Sequence, residues 1–471
     1  LFVFVVFAIA STCRAELINE AADHPSPYVS MHADDPVAWQ TWNADTLARA
    51  KQENKLLFVS VGYFSCYWCH VMQRENFVDP AIARRLNQRF IPVIIDRELQ
   101  PALDAQLVRF MEETQNRAGW PLNIVMTPEG YPLVGTIYLP NAQFGQWLER
   151  IVDTWDEDPE HLAALARDAA HALDGVSQPP IEALTKQRAE AIGRRLVDDA
   201  LERADEMAGG FGNQAKFPLT PILVVLLEHH RHDPRPRLGE FLQTTLDAMA
   251  RGGLRDHLGS GFFRYTEDPD WQTPHFEKML YDQAMLAQLY LRAGDVFERP
   301  AFTQVARDTL DFVLRDMKGP DGGYISSFSA VDESGEEGAY YLWQKQQIKA
   351  VVNADEYRVI AALWGLHQPA PMDGGYLPQQ RRDIETVARQ LDRPLQTVRA
   401  LQRSADAKLL EARSRRSLPA DTKQITAWNG LLLRTLAETA QHTDEPRYRR
   451  AARELRDFLM NRAWSDGQLA R

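Results

Sequence analysis

The chain has 471 residues, of which 45% are hydrophobic and 25% charged, and its formal net charge is −12. This length exceeds what one hydrophobic core usually supports, so we expect a globular protein of two or three domains. The acidic balance, together with the lack of any basic run, argues against nucleic acid as the main partner.

The first ten residues are almost wholly apolar, LFVFVVFAIA, and are too few to span a bilayer as a helix. They are typical of the apolar part of a secretory signal peptide, and the alternative is a buried N-terminal strand. We predict a signal peptide over residues 1–15. The mature protein is then expected to be exported, periplasmic or secreted, with no membrane segment.

Residues 16–152 alternate between apolar strand patterns and amphipathic helix patterns. The strands are predicted at 56–61, 90–96, 122–126 and 133–139. Such alternation predicts an α/β domain with a largely parallel sheet that is covered on both faces.

A Cys-x-x-Cys pair, Cys66-Tyr67-Trp68-Cys69, follows the first strand directly and uses two of the three cysteines. A sulfur at a helix start faces free N–H groups and the positive end of the dipole, which favours the thiolate. We predict that Cys66 is the nucleophile and Cys69 the resolving thiol, with protein thiols or disulfides as partners and neither cofactor nor metal. A structural disulfide and half of a zinc site are the alternatives.

Trp120-Pro121 precedes the third strand. In thioredoxin-like sites a proline at this place is cis, lies against the dithiol and presents a backbone edge to a bound peptide. The local sequence equally allows a trans proline at a strand start. We include Pro121 among the predicted catalytic residues.

The second half of the chain is predicted to be helical. Residues 153–180 read as a charged helical linker that ends in Pro179-Pro180, and amphipathic helices fill 181–471. A helix, loop, helix and glycine-turn pattern recurs at an offset of 146 residues, so that Pro300 corresponds to Pro446. This predicts stacked helical hairpins in a closed or curved α/α array, unless the likeness between amphipathic helices is accidental.

The loops of this helical half carry a second candidate site, which suits a carbohydrate or another small molecule because it combines aromatic rings with acids and bases. The candidate residues are Asp256, His257, Arg264, Tyr265, Trp271, His275, Glu277 and, from another loop, Glu337. The alternative is structural: the histidines tie loops together, and Lys278 braces a helix against Asp282 at the i, i+4 spacing.

Several motifs resemble a known family, the thioredoxin-domain proteins with a DUF255-type N-terminal domain, which includes spermatogenesis-associated protein 20 and YyaL-like proteins. The motifs are Ser26-Pro27-Tyr28, Pro36-Val37-Ala38-Trp39, Cys66 to Met72, Gly119-Trp120-Pro121-Leu122, Lys216-Phe217-Pro218, Asp256-His257-Leu258-Gly259, PHFEKMLYD at 274–282 and Trp428-Asn429-Gly430. The resemblance implies a thioredoxin-like domain followed by an all-α (α/α)6 barrel of the six-hairpin glycosidase type. Family members usually carry His where Tyr67 stands.

By this reading the barrel over residues 181–471 holds roughly four of its six hairpins, so we expect it to be incomplete at its C-terminus. The function expected is thiol–disulfide exchange with a fused barrel of unknown ligand. The alternatives are a carbohydrate-active enzyme, epimerase or glycosidase-like, with an accessory thioredoxin-fold domain, and a non-catalytic binding protein. The direction of electron flow does not follow from the residues between the cysteines.

Overall fold

The computed structural model describes residues 16–174, 185–465 and 467–470. The predicted signal peptide and the proline pair at 179–180 lie outside the described residues. By their internal contacts the described residues divide into two compact units, one of residues 16–63 and 68–174 and one of residues 64–67, 185–465 and 467–470.

The described residues up to 174 form seven helices and four strands. The helices are α1 (Pro27–Ser30), α2 (Ala44–Glu53), α3 (Tyr67–Met72), α4 (Pro80–Arg89), α5 (Pro101–Gln115), α6 (Asn141–Glu157) and α7 (Pro159–Asp174). The strands are β1 (Leu56–Gly62), β2 (Phe90–Asp96), β3 (Leu122–Met126) and β4 (Pro132–Thr136). A single π-turn, Gln73–Phe77, follows α3.

The four strands form one sheet in the order β2-β1-β3-β4. Strand β1 is parallel to β2 but antiparallel to β3, which is antiparallel to β4. The expectation of a largely parallel sheet was therefore wrong. Parallel neighbours need a long crossover connection, whereas a tight turn at Thr127 and Gly130 joins β3 to β4 and forces them to be antiparallel. This order, with one parallel and two antiparallel pairs, is the thioredoxin arrangement.

Strands β1, β2 and β3 are buried along their whole length, so helices cover both faces of the sheet, as the continuous apolar runs predict. Helix α7 packs against β4. The boundary predicted at residue 152 falls inside α6, and the segment predicted as a linker contains α7, which belongs to the first unit.

The residues from 185 onward are mainly helical. The helices are α8 (Lys186–Arg203), α9 (Thr220–His232), α10 (Pro236–Arg251), α11 (Leu280–Val296), α12 (Pro300–Asp316), α13 (Lys345–Val351), α14 (Ala354–Trp364), α15 (Ile384–Gln390), α16 (Leu395–Arg413), α17 (Thr426–Thr443) and α18 (Pro446–Phe458). The strands, each of two residues, are β5 (Tyr265–Thr266), β6 (Pro274–His275), β7 (Lys278–Met279), β8 (Ser327–Phe328), β9 (Ala420–Asp421), β10 (Trp464–Ser465) and β11 (Gln468–Leu469). A second π-turn, Leu459–Ala463, follows α18.

The helices pair as hairpins around α11. Helix α9 packs on α10, α11 on α12 and α17 on α18, and α11 also contacts both α9 and α17. Helices α11, α9 and α17 therefore lie side by side as first members of successive hairpins. Helices α13 to α16 separate two of these hairpins in sequence and pack mainly on one another around a core of their own.

The predicted 146-residue repeat coincides with two of these hairpins, because α11 and α17 begin 146 residues apart, as do α12 and α18. Corresponding amides make the same contacts. Gln283 of α11 hydrogen-bonds to both the backbone N–H and the C=O of Phe262, and Asn429 of α17 hydrogen-bonds to those of Tyr324.

The predicted fold class, a thioredoxin-like domain followed by a helical domain of the α/α-barrel type, is thus confirmed.

None of the helices among the described residues combines the length and the apolarity that a bilayer crossing requires.

Candidate functional site

The dithiol lies where β1 ends and α3 begins. Cys66 directly precedes the first residue of α3, and Cys69 is the third residue of that helix. The two cysteines are disulfide-bonded in this structure. Cys66 is 3% exposed and Cys69 1%, whereas Trp68 between them is 42% exposed. In the oxidised state the indole therefore faces solvent while the sulfurs are covered.

Pro121 lies at the same edge of the sheet as this loop. The Trp120-Pro121 peptide bond is cis, one of the two forms that the sequence left open. Leu122 pairs with Val61 across the antiparallel β1–β3 ladder, so the preceding residue, Pro121, comes level with Gly62 at the end of β1. The register thus brings Pro121 next to the chain that leads into Cys66.

The side chain of Trp120 is held on three sides. Its Nε1 donates to Asp104 Oδ1 over 2.8 Å, and the guanidinium of Arg97 lies 3.8 Å from the ring centroid. Arg97 Nε in turn donates to Asp104 Oδ2 over 3.0 Å, and the Tyr63 ring meets the indole edge-on. This packing fixes the backbone that carries Pro121.

Five of the predicted barrel residues come together in the second unit: Arg264, Tyr265, His275, Glu277 and Glu337, here called the carboxylate–histidine cluster. The β5–β6 ribbon sets Tyr265 opposite His275, and their rings lie 4.8 Å apart. His275 Nε2 lies 3.0 Å from Glu277 Oε1, and its Nδ1 lies 2.5 Å from Glu337 Oε1. Arg264 donates to Glu277 Oε2 over 2.9 Å.

Electrostatics in the cluster favour charged forms. Burial opposes protonation of His275, but Glu277 and Glu337 outweigh it and raise its pKa to about 10. Burial would raise the pKa of Glu277, but Arg264 and His275 outweigh that effect and lower it. His275 is therefore an imidazolium at neutral pH, held between two carboxylates.

One acid beside the cluster behaves in the opposite way. Asp282, on the first turn of α11, is buried, and burial raises its pKa to about 7 against the opposing effect of Arg264. Among the described residues no hydrogen-bond partner reaches its Oδ2. Asp282 and Glu277 thus have opposite pKa shifts, and the charge of Arg264 acts on both; such a pair has the properties of an acid and a base.

The other three predicted residues of this site lie elsewhere and have structural contacts. Asp256 is buried with Lys278 and Arg413, His257 Nε2 lies 2.9 Å from the carbonyl oxygen of Gly252, and Trp271 Nε1 donates to Ala208. Burial, and after it the charge of Arg255, lower the pKa of His257 to about 4, so it is neutral. The proposed brace between Lys278 and Asp282 is replaced by the Lys278–Asp256 pair, at 2.7 Å.

A cleft of 690 Å³ lies on another part of the second unit, between α10, α12 and the loop at 380–383. His257 lines it, as do Arg255, Arg299 and Arg381. Aspartates pair with two of these arginines, Asp308 with Arg255 and Asp247 with Arg299.

Sequence reasoning missed two residues that matter for these sites. Arg413 binds Asp256 across 157 positions of sequence, and nothing local to either residue points to the other. Tyr28 stands out in the sequence only as part of a motif, although its hydroxyl lies beside Cys69. The local sequence around Tyr28, a short helix start after Ser-Pro, does not indicate that its hydroxyl lies near Cys69.

A family of known proteins matches the first part of the chain, and curated relatives match most of it. Residues 18–174 match the family Thioredox_DsbH, described as "Protein of unknown function, DUF255". The chain is 34% identical over 457 residues to spermatogenesis-associated protein 20 of Homo sapiens. That match covers 89% of this chain and 58% of the human protein, so the chain spans little more than half the length of this relative.

Two solved structures are similar in parts. A DsbH oxidoreductase is 19% identical, with 25% of this chain and 85% of that chain covered and a TM-score of 0.21. Cellobiose 2-epimerase from Spirochaeta thermophila DSM 6192 is 16% identical, with 61% and 90% covered and a TM-score of 0.27. At these scores neither likeness bears on activity. The family match agrees with the thioredoxin arrangement of the strands, and residues 18–174 of this chain belong to the DUF255 family of thioredoxin-like domains.

Proposed function

We propose that the chain is a thiol–disulfide oxidoreductase that acts on protein thiols or disulfides. The observation that carries the proposal is the Cys66–Cys69 disulfide at the junction of β1 and α3, inside a thioredoxin-type sheet. A helix start favours the thiolate of the first cysteine, and the second cysteine lies within bonding distance of it.

The exchange proceeds through a mixed disulfide. In the reducing direction the Cys66 thiolate attacks one sulfur of a partner disulfide and expels the other as a thiolate. Cys69 then attacks Cys66 Sγ, closes the internal disulfide and releases the second partner sulfur. Two electrons pass to the partner, and the proton of Cys69 goes to the released thiolate. The reverse sequence oxidises a partner dithiol.

Burial sets a condition on this chemistry. Because Cys66 is 3% exposed in the oxidised state, a partner reaches its sulfur only when the covering side chains move. Trp68 is the exposed part of the motif and is the first side chain that a partner meets. The proposal therefore predicts slow alkylation of the native reduced protein compared with a short peptide that carries the same four residues.

Trapping of mixed disulfides tests the function. A Cys69→Ser variant retains the attacking thiol and lacks the resolving one, so it is expected to accumulate covalent adducts with partner proteins that a reductant dissolves. The matched control is Cys66→Ser, with Cys13→Ser in both, and it is expected to accumulate none. Equal trapping by both variants, or by neither, contradicts the assignment. A disulfide of very low reduction potential with no trapping would instead favour a structural role.

A second candidate is that the barrel binds and transforms a carbohydrate. It is favoured by the opposite pKa shifts of Asp282 and Glu277 and by an aromatic pair beside them, since Phe217 is 43% exposed and stacks on Tyr265 at 4.5 Å. Stacked rings next to an acid and a base suit a sugar ring. Turnover of a reducing sugar that survives replacement of both Cys66 and Cys69 by Ser, and is lost on Glu277→Gln, would establish it.

Export remains part of the proposal. It is supported by the apolar residues 1–10 and by the small residues around Ala15. Oxidising compartments also maintain protein disulfides. Fractionation of cells that express the chain with its natural leader, followed by N-terminal sequencing, tests this: recovery of the chain in the cytosol with residues 1–15 intact would contradict it.

A further inference from the structure

The hydroxyl of Tyr28 lies beside the sulfur of Cys69, and Gly62 makes this possible. A β-carbon at Gly62 would stand 2.3 Å from Tyr28 Oη and 2.9 Å from Cys69 Sγ. The two atoms therefore border the same small space and are no farther apart than the sum of these distances. Because glycine has no side chain, nothing at position 62 separates the hydroxyl from the sulfur.

The tyrosine is fixed in this position. Tyr28 is 1% exposed and sits on the four-residue helix α1. The helix is tied to the sheet at its start, where Ser26 Oγ donates to Asp96 Oδ2 over 2.5 Å and accepts from the N–H of Val29. The ring meets His32 edge-on at 5.3 Å. Since Cys69 is equally buried, bulk water does not solvate the space between the two side chains.

The surrounding charges keep the hydroxyl protonated. Burial, followed by the negative charges of Asp96 on β2 and Asp35 after α1, raises the pKa of Tyr28 well above that of a free tyrosine. On the same side, His32 Nδ1 lies 2.6 Å from Asp35 Oδ2. A side-chain hydrogen bond with Ser60 opposes this rise in pKa without reversing it, so the Tyr28 hydroxyl keeps its proton at neutral pH.

We propose that the Tyr28 hydroxyl donates a hydrogen bond to the thiolate of Cys69 whenever the disulfide opens. The inference rests on the proposed function and identifies the group that stabilises the buried leaving sulfur. When a partner thiolate attacks Cys66 Sγ, the Cys66–Cys69 bond breaks and the electron pair goes to Cys69. In the reverse step Cys69 attacks as the same hydrogen-bonded thiolate. No proton leaves Tyr28 in either direction.

The pKa of Cys69 tests the inference without any turnover. In the full chain with Cys13→Ser and Cys66→Ser, Cys69 is the only thiol, and its titration is followed by the chemical shift of its isotope-labelled β-carbon. Adding Tyr28→Phe removes one hydrogen bond to a charged group and is expected to raise the pKa of Cys69 by about one to two units. The matched control, Tyr131→Phe, removes a hydroxyl from the turn between β3 and β4 and is expected to leave it unchanged.

Kinetics separate this inference from the proposed function. In the chain with both active cysteines, Tyr28→Phe is expected to slow the opening of the disulfide by a thiol reductant about 10-fold or more, while the pH at which Cys66 ionises is unchanged. A Cys69 pKa that does not change on Tyr28→Phe, in a variant that folds, overturns the inference and leaves the oxidoreductase assignment standing. Absence of trapping by Cys69→Ser overturns the function, whatever the pKa of Cys69.

Discussion

Replacement of Asp256 by Asn tests how the second unit holds a buried charge cluster. The Asp256 carboxylate accepts two hydrogen bonds from Arg413, one from Lys278 and one each from the backbone N–H groups of Leu258 and Gly259. All three charged residues are at most 3% exposed. The cluster therefore sets one buried anion against two buried cations, which leaves a net charge of +1 when Lys278 is protonated.

Because the cluster holds two cations and one anion, removal of the anion should destabilise the protein more than removal of one cation. Asp256→Asn leaves Arg413 and Lys278 facing each other without an anion, and loss of one partner of a buried pair costs about 3–5 kcal/mol of unfolding free energy. Lys278→Met leaves the neutral Asp256–Arg413 pair intact. Burial lowers the pKa of Lys278 to about 8 and so disfavours its charged form. We therefore expect Lys278→Met to lower the unfolding free energy by only about 1–2 kcal/mol.

Urea unfolding followed by circular dichroism measures these changes. The matched control is Asp457→Asn, whose carboxylate pairs with Arg456 at the surface, where both side chains are more than half exposed. We expect it to change stability by less than about 0.5 kcal/mol. The reasoning is refuted if Asp256→Asn costs less than about 1 kcal/mol, or if Lys278→Met costs more than Asp256→Asn.

Three further predictions concern the same two units. The folded-state pKa of His275, about 10, exceeds its unfolded value, so the stability that its charge contributes is complete below pH 6.5 and is lost as the pH rises towards 10. Relative to His275→Gln, the unfolding free energy of the wild type should fall by up to about 1.4 kcal/mol per pH unit in that window. Parallel curves of unfolding free energy against pH for the two proteins would contradict the ion cluster. Gly62→Ala should lower the urea midpoint through a cost of about 1–3 kcal/mol, because the new methyl meets Tyr28 and Cys69, whereas Gly119→Ala, with its nearest atom at 3.8 Å, serves as the mild control. Gln283→Leu and Asn429→Leu should each lower the unfolding free energy by about 1–3 kcal/mol, because each leaves the backbone N–H and C=O of a buried aromatic residue unpaired. Thermal or urea unfolding measures this change. A large loss of stability in one variant and none in the other would show that the two hairpins are not equivalent.

The dithiol site was predictable because its parts are neighbours in sequence. The apolar run of β1, the cysteines and the start of α3 follow one another within about one strand and one helical turn, and each signals its own local structure. The repeat was predictable for a related reason, since Pro300 and Pro446 mark helix starts at the same offset. The sheet direction was not, because alternating strands and helices do not reveal which strands a tight turn joins.

In the second candidate site, too, the sequence predicted the contacts between residues that are close in sequence. Tyr265 and His275 lie on one short ribbon and Glu277 follows two residues after it, so a polar, aromatic loop region did indicate their cluster. Asp256 and Trp271 lie in the same stretch of sequence but point to other partners. Composition reports which chemistry a loop contains, while the packing of helices decides which side chains face one another.

The amino-acid sequence alone thus determined the order of the elements, the class of both domains and the identity of the thiols, because short-range patterns of apolar residues, prolines and glycines act within a few residues. Tertiary structure alone decided that Arg413 neutralises Asp256, that Pro121 comes level with Gly62 and that the Tyr28 hydroxyl borders Cys69. Each of these contacts joins segments far apart in the chain, and only the burial of the intervening apolar surface brings such segments together.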